Sequence, residues 1–457
     1  MQIKLPDNKM LFMPENKNTA GNVPRQLLAF FFPLLVGSVF QTLYNTVDSI
    51  IVGRFVGANA LAAVGGTGII MGMLVGFFMG MASGGTVIIS QYYGAKDNEN
   101  LSKAVHTTVT LALIGGLFLT LLGECLAGTL LQLIKLDPVI MDMGKMYLRI
   151  IFGGMIFFTL YNLGGGILRA VGDSKRPRNY LILTCIMNIF LDLPFVLALH
   201  MDVAGVAIAT ILSVAVSSVL VSRVLLTTND IFRVDPKKLG IDRYILKEII
   251  RIGLPAGGTS LAYVFSNAVI QAAVNSFGAT TTAAWVAFGK IDNIIFMIQG
   301  AFGMAATTFV GQNYGAKKYD RVRESVQAGL LMSIGVTLVL SLAMWFFGPV
   351  MISLFATEDT VISIGASVLR VCAPFYFTYS FIEILSGAIR GSGEGFVPMA
   401  ISLSAICLFR FVWIALISPR IGGTVQTIAA CYPASWIAAG VIFILYYMRY
   451  RRKFITR

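Results

Sequence analysis

Twelve runs of apolar residues, separated by short polar breaks, follow one another through almost the whole chain. They lie near 26–52, 60–92, 103–126, 139–168, 179–200, 204–225, 253–277, 279–313, 322–347, 358–389, 397–418 and 424–447. Each run reaches the ~20 residues that a helix needs to cross the hydrocarbon core of a bilayer. The sequence therefore predicts an all-α membrane protein with twelve transmembrane helices.

The charge content excludes a soluble protein with the same helical pattern. Only 12% of the 457 residues are charged, against about 25% in ordinary soluble proteins. A surface with so few charges must face mostly lipid, which excludes soluble enzymes, nucleic-acid-binding proteins and secreted scaffolds. The five cysteines and two histidines have no spacing typical of a disulfide framework, a zinc site or a haem site. We therefore predict no cofactor.

The basic residues indicate the orientation of the chain. An even number of helices places both termini on one side, and most of the 35 lysines and arginines fall on that side. The opposite side receives only Arg54, Lys135, Lys145 and Arg420. Because basic loops are retained in the cytoplasm, we expect both termini there, in a multi-pass protein of the plasma (bacterial inner) membrane. The net charge of +13 then needs no nucleic-acid partner.

The chain contains an internal repeat. Segment 91–96 (QYYGAK) recurs as 312–317 (QNYGAK), and segment 166–173 (GILRAVGD) recurs as 387–394 (GAIRGSGE). The offset is 221 residues in both cases, the difference between 312 and 91 and between 387 and 166. A repeat of six helices enters the membrane from the same side in each copy, so the halves are parallel repeats related by an axis along the membrane normal.

The repeat predicts two six-helix lobes around a central cleft. We expect a cytoplasmic N-terminal tail at 1–25, an N-lobe at 26–225, a cytoplasmic linker at 226–252, a C-lobe at 253–447 and a basic cytoplasmic tail at 448–457. The repeated motifs end helices at the cytoplasmic face. Their glycines and cations are typical of helix caps with a left-handed stop. A second interpretation is that they hold a cytoplasmic gate.

One set of polar residues converges within the N-lobe. Asn188 and Asp192 share a face of the fifth helix because they are four residues apart. The turn before the sixth helix centres near 201, so Asp192 and Thr210 lie at equal depth in an antiparallel hairpin. Asp48 lies in the same half of the membrane. Two interpretations remain open: a site for a proton or Na⁺, or a structural hydrogen-bond network.

The remaining polar residues of the spans are assigned less specifically. Lys290 and Asp292 are candidates to neutralise each other or a neighbouring group, and Arg410 is a candidate partner for Glu383. A cavity for amphipathic, cationic small molecules is expected at Gln41, Tyr44, Gln271, Asn275 and Glu383. On the second helix, Gly72, Gly76, Gly80 and Gly84 predict a face that another helix approaches closely.

These motifs resemble those of the multidrug and toxic compound extrusion (MATE) family, prokaryotic type. The resemblance spans nearly the whole chain and includes Pro33, Asp48-x-x-x-x-Gly53, Asn188-x-x-x-Asp192 and both copies of each repeated motif. It implies an antiporter that exports organic cations by alternating access, driven by H⁺ or Na⁺, without enzymatic activity. It also implies a cation site at Asp48, Asn188, Asp192 and Thr210.

The resemblance leaves alternatives. Another subfamily uses an acidic residue on the seventh helix, but residues 253–277 contain no Asp or Glu, which disfavours a coupling site in the C-lobe. A flippase of lipid-linked precursors, from the same fold superfamily, is the alternative function. A membrane-embedded enzyme or a channel is the third class. A monomer is the expected functional unit.

Overall fold

The fold is an all-helical bundle of twelve long helices. The computed structural model describes residues 17–455, and no strand occurs within that range. Residues 1–16 and 456–457, which include the ends of both predicted tails, lie outside the described residues. The helices are α1 (Val23–Val56), α2 (Ala58–Ala95), α3 (Asn98–Leu133), α4 (Pro138–Gly153 and Met155–Ala170), α5 (Lys175–Ala198), α6 (Asp202–Thr227), α7 (Arg243–Asn275), α8 (Ala279–Gly315), α9 (Tyr319–Ser353), α10 (Asp359–Gly391), α11 (Phe396–Ile421) and α12 (Val425–Arg451).

The helix lengths and compositions agree with a protein that crosses a membrane many times. Ten of the helices within residues 17–455 are long and apolar enough to span a bilayer. The two arms of α4 meet at a bend of 50° and together make an eleventh candidate. The twelfth long helix, α7, has 33 residues but a more polar middle, which contains Thr259, Ser260 and Ser266. The predicted all-α class is confirmed.

The start of α7 differs from the sequence prediction. The helix begins at Arg243 rather than at 253, because the Asp242 side chain accepts hydrogen bonds from the backbone N–H groups of Tyr244 and Ile245. The connection between α6 and α7 is therefore the shorter segment 228–242. That segment is docked on α3, where the Nε2 atom of His106 accepts a hydrogen bond from the Asp235 backbone at 2.9 Å.

The two lobes are joined most extensively by α2 of the N-lobe and α7 of the C-lobe. A side chain at Gly80 or Gly84 would collide with the α7 backbone at Gly257 and Ile249, respectively. Gly76 is also close to α7, at Ser260, whereas Gly72 faces open space. The predicted close approach is thus confirmed for three of the four glycines and wrong for Gly72.

Candidate functional site

The N-lobe holds two buried carboxyl groups joined by one amide. Asp48 of α1 is 9% exposed, and Asn188 and Asp192 of α5 are 0% exposed. With its amide oriented to satisfy both neighbours, Asn188 donates to Asp48 Oδ1 at 2.8 Å and to Asp192 Oδ2 at 3.2 Å. Their four-residue spacing on α5 therefore does place Asn188 and Asp192 on one face.

The carboxyl groups of Asp48 and Asp192 also lie within hydrogen-bonding distance of each other. Two carboxylates both accept and neither donates, so such a bond forms only when one of them holds a proton. Within residues 18–451, no lysine, arginine or histidine lies within 4.0 Å of either acid. The Asp192 Oδ1 atom is buried and has no hydrogen-bond partner in the described part of the chain. The arrangement can hold a proton or a small cation between the two acids.

Tyrosines complete the N-lobe cluster. Tyr44 of α1 donates a hydrogen bond to the Thr210 hydroxyl at 3.2 Å, and Thr210 is buried on α6. Tyr44 therefore belongs beside Thr210, and not with Gln271 and Asn275 in a separate cavity as expected. Tyr147 of α4 lies close enough to interact electrostatically with both acids. Sequence reasoning missed Tyr147, because no spacing rule relates α4 to α1 and α5.

The lobes meet at the end of the bundle where α1 begins and α12 ends, which we call the terminal face. Gln91 of α2 donates to the Gly391 carbonyl of α10 at 2.7 Å, and Gln312 of α8 donates to the Ala170 carbonyl of α4 at 2.6 Å. The two donors, Gln91 and Gln312, are 221 residues apart, and so are the two acceptors, Ala170 and Gly391, which is the repeat offset. Both bonds cross between lobes, so the first repeated motif closes the cleft at this face.

The glycines of the repeated motifs have two different structural roles. Gly94 and Gly315 remain helical, and a side chain on either would overlap the backbone carbonyl of Gln312 or Gln91 in the other lobe. The left-handed residues that follow are Lys96 and Lys317, each with φ of 58°. The predicted glycine stop is therefore wrong for the first motif. In the second motif, Gly172 and Gly393 adopt φ of 96° and 97°, so the predicted left-handed glycine stop is confirmed for that motif.

Away from the terminal face, a cavity of about 630 Å³ separates α1 and α2 from α8. Its polar lining includes Asn45, Arg54, Lys290 and Asn293. Lys290 therefore faces this cavity, and the second of the two alternatives holds for Asp292, which does not pair with Lys290 but accepts a hydrogen bond from its neighbour Tyr376. The molecule is closed at the terminal face and has open space between the lobes at the opposite end.

A second cavity of about 320 Å³ lies between the lobes and nearer the terminal face. Glu383 of α10 lines it and accepts a hydrogen bond from Tyr379 at 3.1 Å. Arg169 of α4 and Arg390 of α10 line it as well. Because residues of both lobes line it, we call it the central cavity.

A third cavity of about 450 Å³ lies within the C-lobe and is strongly aromatic. Its lining includes Gln271, Asp292, Arg410, Trp285 and Tyr432. The Arg410 guanidinium lies 4.3 Å from the centre of the Tyr432 ring. Arg410 also donates to Ser435 at 3.2 Å, and no ion pair with Glu383 occurs among residues 18–451. The expected Arg410–Glu383 pair is therefore wrong, because the guanidinium is held by α12 instead.

Two expected cavity residues lie at the edge of this region. Gln271 donates to the Asn275 side chain at 2.8 Å, and both side chains are exposed or half-buried on α7. Gln41 is exposed on α1. The cavity residues predicted from sequence are thus divided among the N-lobe cluster, the central cavity, the C-lobe cavity and the surface.

A two-lobe helical bundle that is closed at one face and has interior cavities and a buried acid pair is typical of multi-pass membrane transporters. The chain belongs to the MatE family, whose model matches residues 33–193 and 255–416, one segment in each lobe. The probable multidrug resistance protein YoeA of Bacillus subtilis is 27% identical over 449 residues, which are 96% of this chain and 97% of YoeA. The probable multidrug resistance protein YpnP of Bacillus subtilis is 28% identical over 411 residues, covering 88% of this chain and 90% of YpnP.

The fold is that of solved MATE structures. A crystal structure of MATE in complex with MaL6 matches with a TM-score of 0.90 at 21% identity, and the match covers 98% of this chain and 100% of that chain. The resemblance inferred from the sequence motifs is therefore confirmed.

Proposed function

We propose that this protein exports amphipathic organic cations, drugs or toxic metabolites in exchange for protons that move inward. Relatives that align over nearly the whole chain are named as multidrug resistance proteins, which supports export of varied compounds. The proposed location is the plasma membrane, with both termini in the cytoplasm, as the distribution of basic residues predicts. The functional unit is a monomer.

The observation that carries the coupling proposal is the acid pair of the N-lobe. Asp48 and Asp192 are buried, joined by the Asn188 amide and free of basic neighbours within 4.0 Å in residues 18–451. Two negative charges at such a position are strongly unfavourable, whereas one shared proton relieves the repulsion. Uptake of a proton therefore changes the interior charge of the N-lobe while the C-lobe is unaffected.

A proton suits this arrangement better than Na⁺ does. Two carboxyl groups that share one proton need no further ligand, and the Asn188 amide then satisfies both by turning its nitrogen toward them, whereas a sodium ion needs oxygen atoms on several sides. The Thr210 oxygen is bonded to Tyr44 and so is partly occupied. Na⁺ coupling is the alternative, and it corresponds to the Asn188 orientation in which the amide oxygen faces the two acids.

Alternating access then uses both ends of the molecule. With the terminal face closed by Gln91 and Gln312, protons enter from the outside through the opening between α1 and α8. Protonation of the acid pair favours release of a cationic substrate outside. Each proton that moves inward gains ~2.3 kcal/mol per 100 mV of membrane potential.

The experiment that tests the coupling ion is dye export by the full chain in proteoliposomes. A pH gradient imposed at equal Na⁺ on both sides should drive export, and a Na⁺ gradient at equal pH should not. Export driven only by the Na⁺ gradient would replace the proton by Na⁺, and export unaffected by either gradient would overturn the antiport proposal.

A further inference from the structure

Two arginines that the repeat makes equivalent line the central cavity. Arg169 ends α4 of the N-lobe and Arg390 ends α10 of the C-lobe, and their offset is again 221 residues (390 minus 169). The cavity therefore receives one guanidinium from each lobe. Its acidic lining residue is Glu383, so its lining carries an excess of positive charge.

The polar atoms around these arginines are incompletely satisfied. In residues 18–451, neither guanidinium has an acidic group within 4.0 Å. Arg169 donates to the Asn162 carbonyl at 3.5 Å and Arg390 to the Ser386 hydroxyl at 3.4 Å, both long bonds. The Arg390 Nε atom and the Ser83 hydroxyl are buried without a hydrogen-bond partner in the described chain. Unpaired buried donors of this kind are rare and need an explanation.

We propose that the central cavity binds the carboxylate or phosphate group of a small amphipathic molecule between Arg169 and Arg390. Guanidinium groups bind such oxyanions through paired hydrogen bonds, which would satisfy the Arg390 Nε atom. The rest of the ligand lies against Met79, Met304 and Met399, whose flexible side chains adapt to different shapes. The volume of about 320 Å³ suits a small molecule.

The oxyanion site adjoins the contacts that close the terminal face. Arg169 directly precedes Ala170, and Arg390 directly precedes Gly391, the two residues whose carbonyls accept the cross-lobe hydrogen bonds. An anion held by both arginines therefore bridges the lobes just above that contact. Because it contacts both lobes only when they are together, it stabilises the closed terminal face.

Binding is tested on the purified full chain in a neutral detergent, without any gradient. The probes are 1-naphthoate, its neutral isostere 1-naphthamide, and inorganic phosphate as a competitor. We expect naphthoate to bind and to raise the melting temperature, naphthamide to bind at least about tenfold more weakly, and phosphate to displace naphthoate.

Two variants test the arginines, and two others serve as comparisons. Arg169→Gln and Arg390→Gln should each weaken naphthoate binding by about tenfold or more. Arg390→Lys, which keeps the charge but not the paired donors, should weaken it less. Arg223→Gln, which changes an exposed arginine of α6, should leave binding unchanged. Equal binding of naphthoate and naphthamide to the unmodified protein overturns the proposal even if the variants do not fold.

The source of the oxyanion is distinguished in nanodiscs. If a lipid headgroup supplies the anion, phosphatidylglycerol will weaken naphthoate binding relative to phosphatidylcholine, and Arg169→Gln will remove the difference. If the ligand is a soluble anion, binding is the same in both lipids. Naphthoate binding that is unchanged in both arginine variants contradicts either source. Because no transport is measured, failure here leaves the proposed proton coupling untouched.

Discussion

Asn188 and Asp192 of the N-lobe correspond, at the repeat offset of 221, to Phe409 and Trp413 of the C-lobe. In the N-lobe, the Asn188 amide bridges Asp192 to the second acid, Asp48. In the C-lobe, the two equivalent residues form an aromatic pair with ring centres 5.8 Å apart. The lobes are therefore different in their interiors. At the terminal face they remain alike, because Gln91 and Gln312 make equivalent bonds across the cleft.

This difference indicates which positions of a duplicated bundle must stay alike in both copies and which can acquire separate functions. The shared contacts hold two lobes together and must match, so both copies keep the same residues there. The acid pair and the Phe409–Trp413 pair each lie within a single lobe, so these positions are free to diverge. On the proposed function, the N-lobe interior binds the coupling proton, and the aromatic C-lobe interior, with Arg410 over Tyr432, contributes to substrate binding.

The largest effect is expected from removing one acid of the N-lobe pair. Asp192→Asn should reduce proton-driven dye export to the level of empty vesicles, because an amide cannot take up a proton. The matched C-lobe change is Asp292→Asn, which retains an oxygen to accept the hydrogen bond from Tyr376 and should retain coupling. Loss of coupling in both variants would contradict the division between lobes.

The next largest effect is expected at the helix contact on the terminal face. Gly94→Val and Gly315→Val should prevent closure equally, because each new side chain overlaps a backbone carbonyl of the other lobe. The measurement is the labelling rate, from the terminal face, of a cysteine placed at Ser83 after the five native cysteines are replaced. Gly72→Val, which faces open space, is the control. A faster rate in only one of the two variants would break the equivalence of the lobes.

A smaller effect is expected from the two glutamines. Gln91→Ala and Gln312→Ala each remove one cross-lobe hydrogen bond and should each destabilise the closed state by about 1 kcal/mol. The same labelling experiment should therefore show a roughly fivefold increase for each variant, and a larger one for the double variant. Unequal single effects would show that closure is asymmetric.

The smallest effect is expected in the C-lobe cavity. Arg410→Lys keeps the charge but loses the planar contact with Tyr432, which is worth about 0.5–2 kcal/mol. Because a lysine retains most of the attraction between its charge and the ring, substrate affinity should change by only about twofold, while the dependence of export on the pH gradient stays the same. A changed pH dependence would assign the C-lobe a part in coupling.

The fold could be predicted from the lengths of the apolar runs, and the repeat from the segments that recur at one offset. Sequence reasoning also brought Asn188 and Asp192 together, because helical spacing is a local rule. It could not identify the partner of Arg410, since the choice between Glu383 and Tyr432 depends on how α10, α11 and α12 pack. It could not separate the two uses of glycine either. Gly94 and Gly172 look alike in sequence, yet one permits a close contact and the other a left-handed turn.

Proton movement on substrate addition tests the central claim most directly. Proteoliposomes that contain the full chain and an internal pH-sensitive dye should show a proton flux when substrate is added. The account predicts that this flux is abolished by Asp48→Asn and by Asp192→Asn and is preserved by Asp292→Asn. A flux that persists in Asp192→Asn at normal protein content would contradict the assignment of coupling to the N-lobe acid pair.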